Sequence, residues 1–260
     1  RSGATAIARA YTGLRIVNRV INGVDKVQSI TDEQKQKLLG QAYFLRAYFY
    51  FEVIKRYGGM PIFDALWGAS DNFDLPRKTY QESNKWMQTD LDKAIEYLPT
   101  SWPEEEHGRP DKVAALALKS MTQLYAASPL MQNDLNTIED KGYGKEMAAE
   151  AARSAQKTID AIESHDYYRL MSHDEYRSIQ LMPNSNQFAQ PEYLWFLRWH
   201  PVNWSAYVRA QWLTQPYDDK TGAEGTPYNA PTQNMVDLFE RMGDDGKYYP
   251  ITDPRRSEER

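Results

Sequence analysis

The sequence predicts a mainly α-helical protein, with amphipathic helices packed around one central helix and a loop-rich, aromatic segment after them. Three observations predict it. Apolar residues recur at three- and four-residue steps through much of the first 164 positions. Helix start and stop signals bracket those stretches. Beyond about residue 166 the periodicity lapses while tryptophan and tyrosine accumulate. At 260 residues, with 41% hydrophobic and 26% charged side chains, the chain is long enough to bury a substantial core in one or two domains.

The first helix is read over 5–29, where Ile7, Tyr11, Leu14, Val17 and Ile21 share a face with Val20 and Val24 beside them. Gly13 and Gly23 each cost it about 1 kcal/mol relative to alanine. The central helix is read over 31–57. Thr31 and Gln34 form a capping box at its start. From Leu38 to Ile54 the apolar residues (Leu39, Ala42, Tyr43, Leu45, Ala47, Phe49, Phe51 and Val53 among them) spread around almost the whole circumference. A helix apolar on nearly all sides must be surrounded by other elements. Gly58-Gly59 supplies a left-handed stop and Pro61 blocks continuation.

A Gly-, Asp- and Asn-rich loop follows. Thr79 and Glu82 then cap a third helix, read over 79–98, with Met87, Leu91, Ala94, Ile95 and Leu98 as its stripe and Pro99 as its stop. A fourth, over 110–128, opens at Pro110 and carries Val113, Ala117, Met121, Leu124 and Tyr125. A fifth, over 145–164, presents Ala148, Ala151, Ala152, Ala155, Ile159 and Ile162. Small residues at such seams let helix axes approach closely. Successive helices with short or proline-bounded connections fit pairs stacked as in tetratricopeptide repeats, although the 34-residue consensus is absent. Residues 193–199 (YLWFLRW) are read as a strand or extended segment, and 200–231 as a long irregular region. Residues 232–242 are read as a short amphipathic helix stopped by Gly243.

Composition excludes several classes. A formal charge of −5 gives no electrostatic reason to bind nucleic acid. No apolar run approaches the ~20 residues that span a bilayer. Without cysteine there is no disulfide, thiol nucleophile or thiolate metal site. No HExxH, GxSxG or GxxxxGK[ST] pattern occurs, and His107, His165, His173 and His200 lack metal-ligand spacing. Ser154 and Lys157 match SxxK, but lie in mid-helix beside the alanine face and are read as a chance match. The carboxylate pairs Glu104/Glu105 and Asp218/Asp219 are read as solvated loop charge or a weak Ca²⁺ contact, not a glycosidase dyad. The reading is therefore a binding protein without catalytic residues, metal or cofactor.

Two patches are candidates for binding. Segment 193–217 holds eight aromatics in 25 positions, where a 13% average gives about three. Trp195 and Phe196 are read as packing. Trp204, Tyr207 and Trp212 lie where no regular element is readable, and either bind ligand or pack. A flat aromatic face suits the apolar C–H face of a pyranose, and Asn203 and Arg209 stand close in sequence to bind its hydroxyls. The second patch is the 64–74 loop, where Trp67 offers a stacking plane and Asp71 and Asn72 offer hydrogen bonds. The rigid end of the central helix supports this loop, which lowers the ordering cost of binding.

The string GQAYFLRAYFYFEVIKRYGGMPIFD (40–64) resembles the signature helix of the SusD/RagB family, surface lipoproteins of nutrient-uptake systems. Five further strings follow the family's order: YTGLRIVNRVINGVDKV (11–27), WMQTDLDKAIEYLP (86–99), GRPDKVAALALKSMTQLYAASPLM (108–131), PEYLWFLRW (191–199) and APTQNMVDLFERMGDDGKYYPITDP (230–254). The resemblance implies tetratricopeptide-like helix pairs, attachment to the extracellular face of the outer membrane, and a role as a lid over a SusC-like TonB-dependent transporter. The lid presents an oligosaccharide to the pore, or a peptide in RagB-like members. The loop after the GG-hydrophobic-Pro turn contributes ligand contacts in glycan-binding members, which carries weakly to Trp67, Asp71 and Asn72. The expected division is 1–182, a SusD-like helical region, and 183–260, the beginning of a loop-rich C-terminal region. With Arg1 at the start and RRSEER after Pro254, the chain is expected to be an interior portion, about half of a member's length. The lipid anchor, signal peptide and further binding residues are then expected outside it.

Overall fold

The computed structural model describes residues 3–68, 70–133, 139, 141–176, 190–196, 233–243 and 245–250. Contacts divide the chain into two units, residues 1–198 and 199–260. Among the described residues, the long helices of the first unit are α1 (Gly3–Gly23), α2 (Asp32–Tyr57), α3 (Tyr80–Tyr97), α4 (Lys112–Ala127) and α5 (Lys145–Glu163). Each packs on the next, and α2 also meets α4.

Named contacts fix the helix directions. Gly40 of α2 lies against Leu98, Tyr43 beside Tyr97, Arg46 on Asp90 and Tyr50 against Trp86, so α2 and α3 run antiparallel. Gly13 meets Phe49 while Asn18 meets Arg46, so α1 and α2 do too. Asp92 with Lys119 and Gln81 with the Ala126 carbonyl make α3 and α4 antiparallel. The predicted pairing around α2 is what is seen. Phe44, Arg46, Ala47, Tyr50, Phe51, Val53 and Ile54 are buried, and no residue from 43 to 54 is exposed.

The helix ends are local chemistry. Thr31 Oγ1 accepts the Gln34 N–H at 3.2 Å and Gln34 Oε1 accepts the Thr31 N–H at 2.9 Å. Thr79 and Glu82 repeat the arrangement, so each box satisfies two otherwise unpaired amides. Gly58 stops α2 at φ +76°, donating to the Ile54 carbonyl at 2.9 Å. A Cβ on Gly59 would stand 2.0 Å from the Lys78 carbonyl oxygen, because the chain doubles back there to begin α3.

Five readings are corrected. On α5, Ala152 and Ile159 of the expected stripe are exposed, and Ala151, Ser154 and Thr158 are the buried residues. The first helix ends at Gly23 rather than 29; a single 3₁₀ turn, Val24–Lys26, follows, because Asn22 and Gly23 are poor helix formers. On α4 the stripe is only partly the buried face. Val113 is buried, but Met121 and Leu124 are 43% and 61% exposed and Tyr125 is exposed as well. Ala114, Ala115, Leu118, Ala126 and Ala127 are buried instead, because α3 and α5 press on α4 from two sides and small residues fit there. Residues 191–196 form a turn and a bend, not a strand. The helix read over 232–242 covers only α6 (Gln233–Asp237). Strand β1 (Glu240–Met242) then pairs antiparallel with β2 (Tyr248–Pro250), with Arg241 opposite Tyr249. The cause is Gly246, at φ +75° in the turn, with the Gly243 N–H donating to the Lys247 carbonyl at 2.8 Å.

Trp195 packs as predicted. Its ring sits edge-on to Phe44 and Tyr48, both at 4.9 Å, and its indole donates to the Gly108 carbonyl at 3.2 Å.

Candidate functional site

The loop leaving α2 is fastened at its base by a buried ion pair. Arg46 donates to both Asp90 oxygens, from Nε at 2.7 Å and from Nη2 at 2.8 Å. Its Nη1 donates to Asn18 Oδ1 at 2.9 Å and to the Asp64 carbonyl at 3.1 Å. The guanidinium also lies over the rings of Trp86 and Tyr43. Asn18 in turn donates from Nδ2 to the carbonyls of Phe63, at 2.8 Å, and Ala65, at 3.2 Å. The Tyr50 hydroxyl donates to the Pro61 carbonyl at 3.2 Å and accepts the Phe63 N–H at 2.5 Å. Burial pushes the Asp90 carboxyl above the ordinary carboxylate range, and the Arg46 hydrogen bonds pull it back. Burial likewise raises the Tyr50 phenol. A loop without a regular hydrogen-bond ladder does not hold one path by itself. Here Asn18, Arg46 and Tyr50, anchored in α1 and α2, hold the backbone from 61 to 65.

On that base sits an aromatic cup. Phe63 meets Tyr11 of α1 edge-on at 5.3 Å, and Trp67 meets Phe63 at 5.7 Å and Phe73 at 5.6 Å. Arg15 Nη1 donates to the Trp67 carbonyl at 3.0 Å, tying the tip of the loop to α1. The cup encloses about 260 Å³, lined by these rings with Leu14, Asn18 and Leu66. That is a little under the ~300–1,000 Å³ of whole-ligand pockets, so it suits one ring of a larger ligand. The Trp67 Nε1 is buried without a hydrogen-bond partner among the described residues. Phe73 and Leu66 remain exposed at the rim. The cup can therefore offer apolar ring faces to an amphipathic ligand.

Of the site residues expected from sequence, Trp67, Asp71 and Asn72 are brought to this loop. Trp67 forms a wall of the cup. Asp71 and Asn72 are exposed, and each commits an oxygen to shaping the loop: Asp71 Oδ2 accepts the Gly68 N–H at 2.6 Å and Asn72 Oδ1 accepts the Asp74 N–H at 2.9 Å. Asn203, Trp204, Tyr207, Arg209 and Trp212 lie outside the described residues. Sequence reasoning missed Tyr11, Phe63 and Phe73. Two aromatics flanking Trp67 in one loop were a readable signal; Tyr11, assigned to the core stripe of α1, was not.

Residues 4–124 match a protein family described as "Starch-binding associating with outer membrane" (SusD-like). A search of curated proteins finds no match. Among solved structures, a SusD-like protein from Bacteroides fragilis is 28% identical with a TM-score of 0.57, covering 75% of this chain and 33% of that one. A putative sugar binding protein from Bacteroides vulgatus has the same TM-score of 0.57 at 22% identity, covering 75% of this chain and 41% of its own. A surface glycan-binding protein A from Bacteroides uniformis shares the fold at a TM-score of 0.52 and 18% identity, covering 65% of this chain and 34% of its own. The chain thus spans about a third to two fifths of these relatives, less than the half expected. Over residues 4–124, with antiparallel helices around α2, the chain is similar to SusD-like proteins.

Proposed function

We propose that this chain is part of a surface glycan-binding protein that captures oligosaccharides and delivers them to a SusC-like TonB-dependent transporter at the outer membrane. Residues 1–182 would form its helical scaffold and 183–260 the start of its loop-rich region. The observation that carries the reading is the cup of Tyr11, Phe63, Trp67 and Phe73, pinned to the scaffold by Arg15, Asn18 and Arg46. Ring faces held in place suit the C–H faces of a pyranose, and little ordering cost opposes binding. The names of the relatives, sugar binding and surface glycan-binding, point the same way. Among the described residues no cluster of three or more His, Asp or Glu is placed to hold a metal ion, and no helix is long and apolar enough to cross a membrane. The role proposed is binding, not catalysis, with attachment to the membrane through a lipid anchor outside this portion.

Calorimetry with neutral oligosaccharides against oligopeptides tests it. Trp67→Ala should weaken glycan binding by about 1–3 kcal/mol, the scale of one buried large apolar side chain. Unchanged glycan affinity in both Trp67→Ala and Trp204→Ala, with folding intact, would refute the chosen site. Binding of peptides alone would favour a RagB-like peptide lid, and new reducing ends after incubation with glycans would overturn the non-enzymatic role.

A further inference from the structure

The polar groups around the aromatic cup are unequal in kind. Along its loop the backbone acceptors are already engaged. The Phe63 and Ala65 carbonyls accept from Asn18 Nδ2 at 2.8 and 3.2 Å, the Asp64 carbonyl from Arg46 Nη1 at 3.1 Å, and the Trp67 carbonyl from Arg15 Nη1 at 3.0 Å. Asn18, buried in the wall, has also committed its Oδ1 to Arg46. Among the described residues no Asp or Glu side chain lines the cup, and Arg15 is the one charged side chain that does. Arg15 is exposed, and its Nε and Nη2 have no hydrogen-bond or ion-pair partner among the described residues. A guanidinium donates and never accepts. Its bond to the Trp67 carbonyl limits where it can swing, so the remaining donors stay at the rim. The Tyr11 hydroxyl is a further donor, since burial raises its phenol and keeps the proton in place at neutral pH.

That imbalance narrows the ligand. A neutral sugar presents hydroxyls, each with a proton to give as well as lone pairs, and the lining leaves those protons few acceptors. An ionised carboxylate only accepts, and it matches the arginine fork with two parallel hydrogen bonds. The cup, at about 260 Å³, has room for one ring. A ring whose C–H face lies on the aromatic walls and whose edge carries a carboxylate uses both halves of the lining. The loop's own carboxylates, Asp64, Asp71 and Asp74, are exposed. Their field opposes an anion but is screened by solvent and salt, whereas a carboxylate on Arg15 meets its charge at hydrogen-bond distance.

We propose, on the footing that the cup binds a glycan, that the sugar it selects is a uronic acid, with the pyranose on Phe63, Trp67 and Phe73 and the carboxylate on Arg15. Calorimetry at pH 7 tests it. Wild type, Trp67→Ala, Arg15→Gln and Arg15→Lys are titrated with oligosaccharides of galacturonic and of glucuronic acid, with the methyl ester of each, and with N-acetylphenylalanine. Thermal unfolding by circular dichroism accompanies each protein. Esterification removes the charge and keeps the ring, so the ratio of the two affinities isolates the carboxylate. Wild type should bind one of the acids about tenfold more tightly than its ester, the lower end for a hydrogen bond to a charged group because Arg15 is exposed. Arg15→Gln should bring that ratio to about one by weakening the acid alone. Arg15→Lys keeps the charge but not the fork, and should retain part of the preference. Trp67→Ala should weaken acid and ester alike. Equal wild-type affinities for acid and ester would overturn the uronic acid assignment. So would an equal loss of both in Arg15→Gln, which would make Arg15 only a prop for the Trp67 carbonyl. Either result leaves the glycan reading standing where Trp67→Ala still weakens saccharide binding. Arg15-dependent binding of N-acetylphenylalanine, with no binding of any saccharide, would assign the cup to the carboxyl end of a peptide and overturn both.

Discussion

Replacing Arg46 by Met removes four hydrogen bonds from a buried site at once. Arg46 is 5% exposed and Asp90 1%, and the guanidinium is bound to both carboxylate oxygens, to Asn18 Oδ1 and to the Asp64 carbonyl. Met preserves most of the packing against Trp86 and Tyr43, so the loss is electrostatic. Removing one partner of a buried pair costs about 3–5 kcal/mol, since the other charge is left uncompensated. That is a large part of the ~5–15 kcal/mol available to a domain. Replacing both, as Arg46→Met/Asp90→Leu, removes the stranded charge and leaves only Asn18 Oδ1 and the Asp64 carbonyl short of a donor, at about 1 kcal/mol each. The double variant should therefore be more stable than either single one. The loss should also depend on pH. In Arg46→Met the buried Asp90 carboxyl has a folded pKa raised above the unfolded value of about 3.9. The folded variant then takes up a proton more readily than the unfolded chain. Its stability is lost as pH rises from that unfolded value to the raised folded one and is level beyond it, so the deficit should be smaller at about pH 4 than at about pH 8. Urea unfolding followed by circular dichroism, run as a double-mutant cycle at both pH values, measures each quantity. A double variant no more stable than the worse single one, or a pH-independent deficit in Arg46→Met, would refute the reasoning.

Three further outcomes are expected. Gly59→Ala should destabilise by about 3 kcal/mol in urea unfolding, the upper end for overpacking, because its Cβ meets the Lys78 and Thr79 backbone at 2.0 and 2.3 Å. Tyr50→Phe leaves the Phe63 N–H without its acceptor, which should cost about 1–3 kcal/mol and speed hydrogen exchange at that amide. Glu175 is held down to about 2, first by Arg169 and then by Ser172, which it meets in a capping box. Its contribution is present above the unfolded glutamate value of about 4.3 and is lost as pH falls through about 2, so exchange protection factors near 172–176, taken relative to the intrinsic rate at each pH, should fall over that window and stay level in Glu175→Gln.

The boundaries and the centrality of α2 were legible in the sequence because both rest on local interactions. Thr31 and Gln34, or Thr79 and Glu82, meet three residues apart, and Gly58 needs only its own φ. An apolar helix surface from Leu39 to Ile54 admits only a shielded position, and no residue there is exposed, whereas Leu38 at its start is 38% exposed. The arc of α4 that would be buried was not legible. A stripe weights large residues, whereas two neighbours pressing on one helix favour alanines and turn Met121 and Leu124 outward. The end of the 232–242 helix was lost for a different reason: a glycine turn pairs Arg241 with Tyr249, and strand pairing overrode the helical spacing. For the site, sequence determined that Trp67 stood in a loop held by a rigid helix end. The tertiary structure decided the rest. Tyr11 reaches the loop only because α1 packs antiparallel on α2, which also sets Asn18 beside Arg46, and α3 brings Asp90 to the same point. Those partners lie 28 to 52 residues apart along the chain, beyond any periodicity, and only the burial of one charge by three helices makes them neighbours.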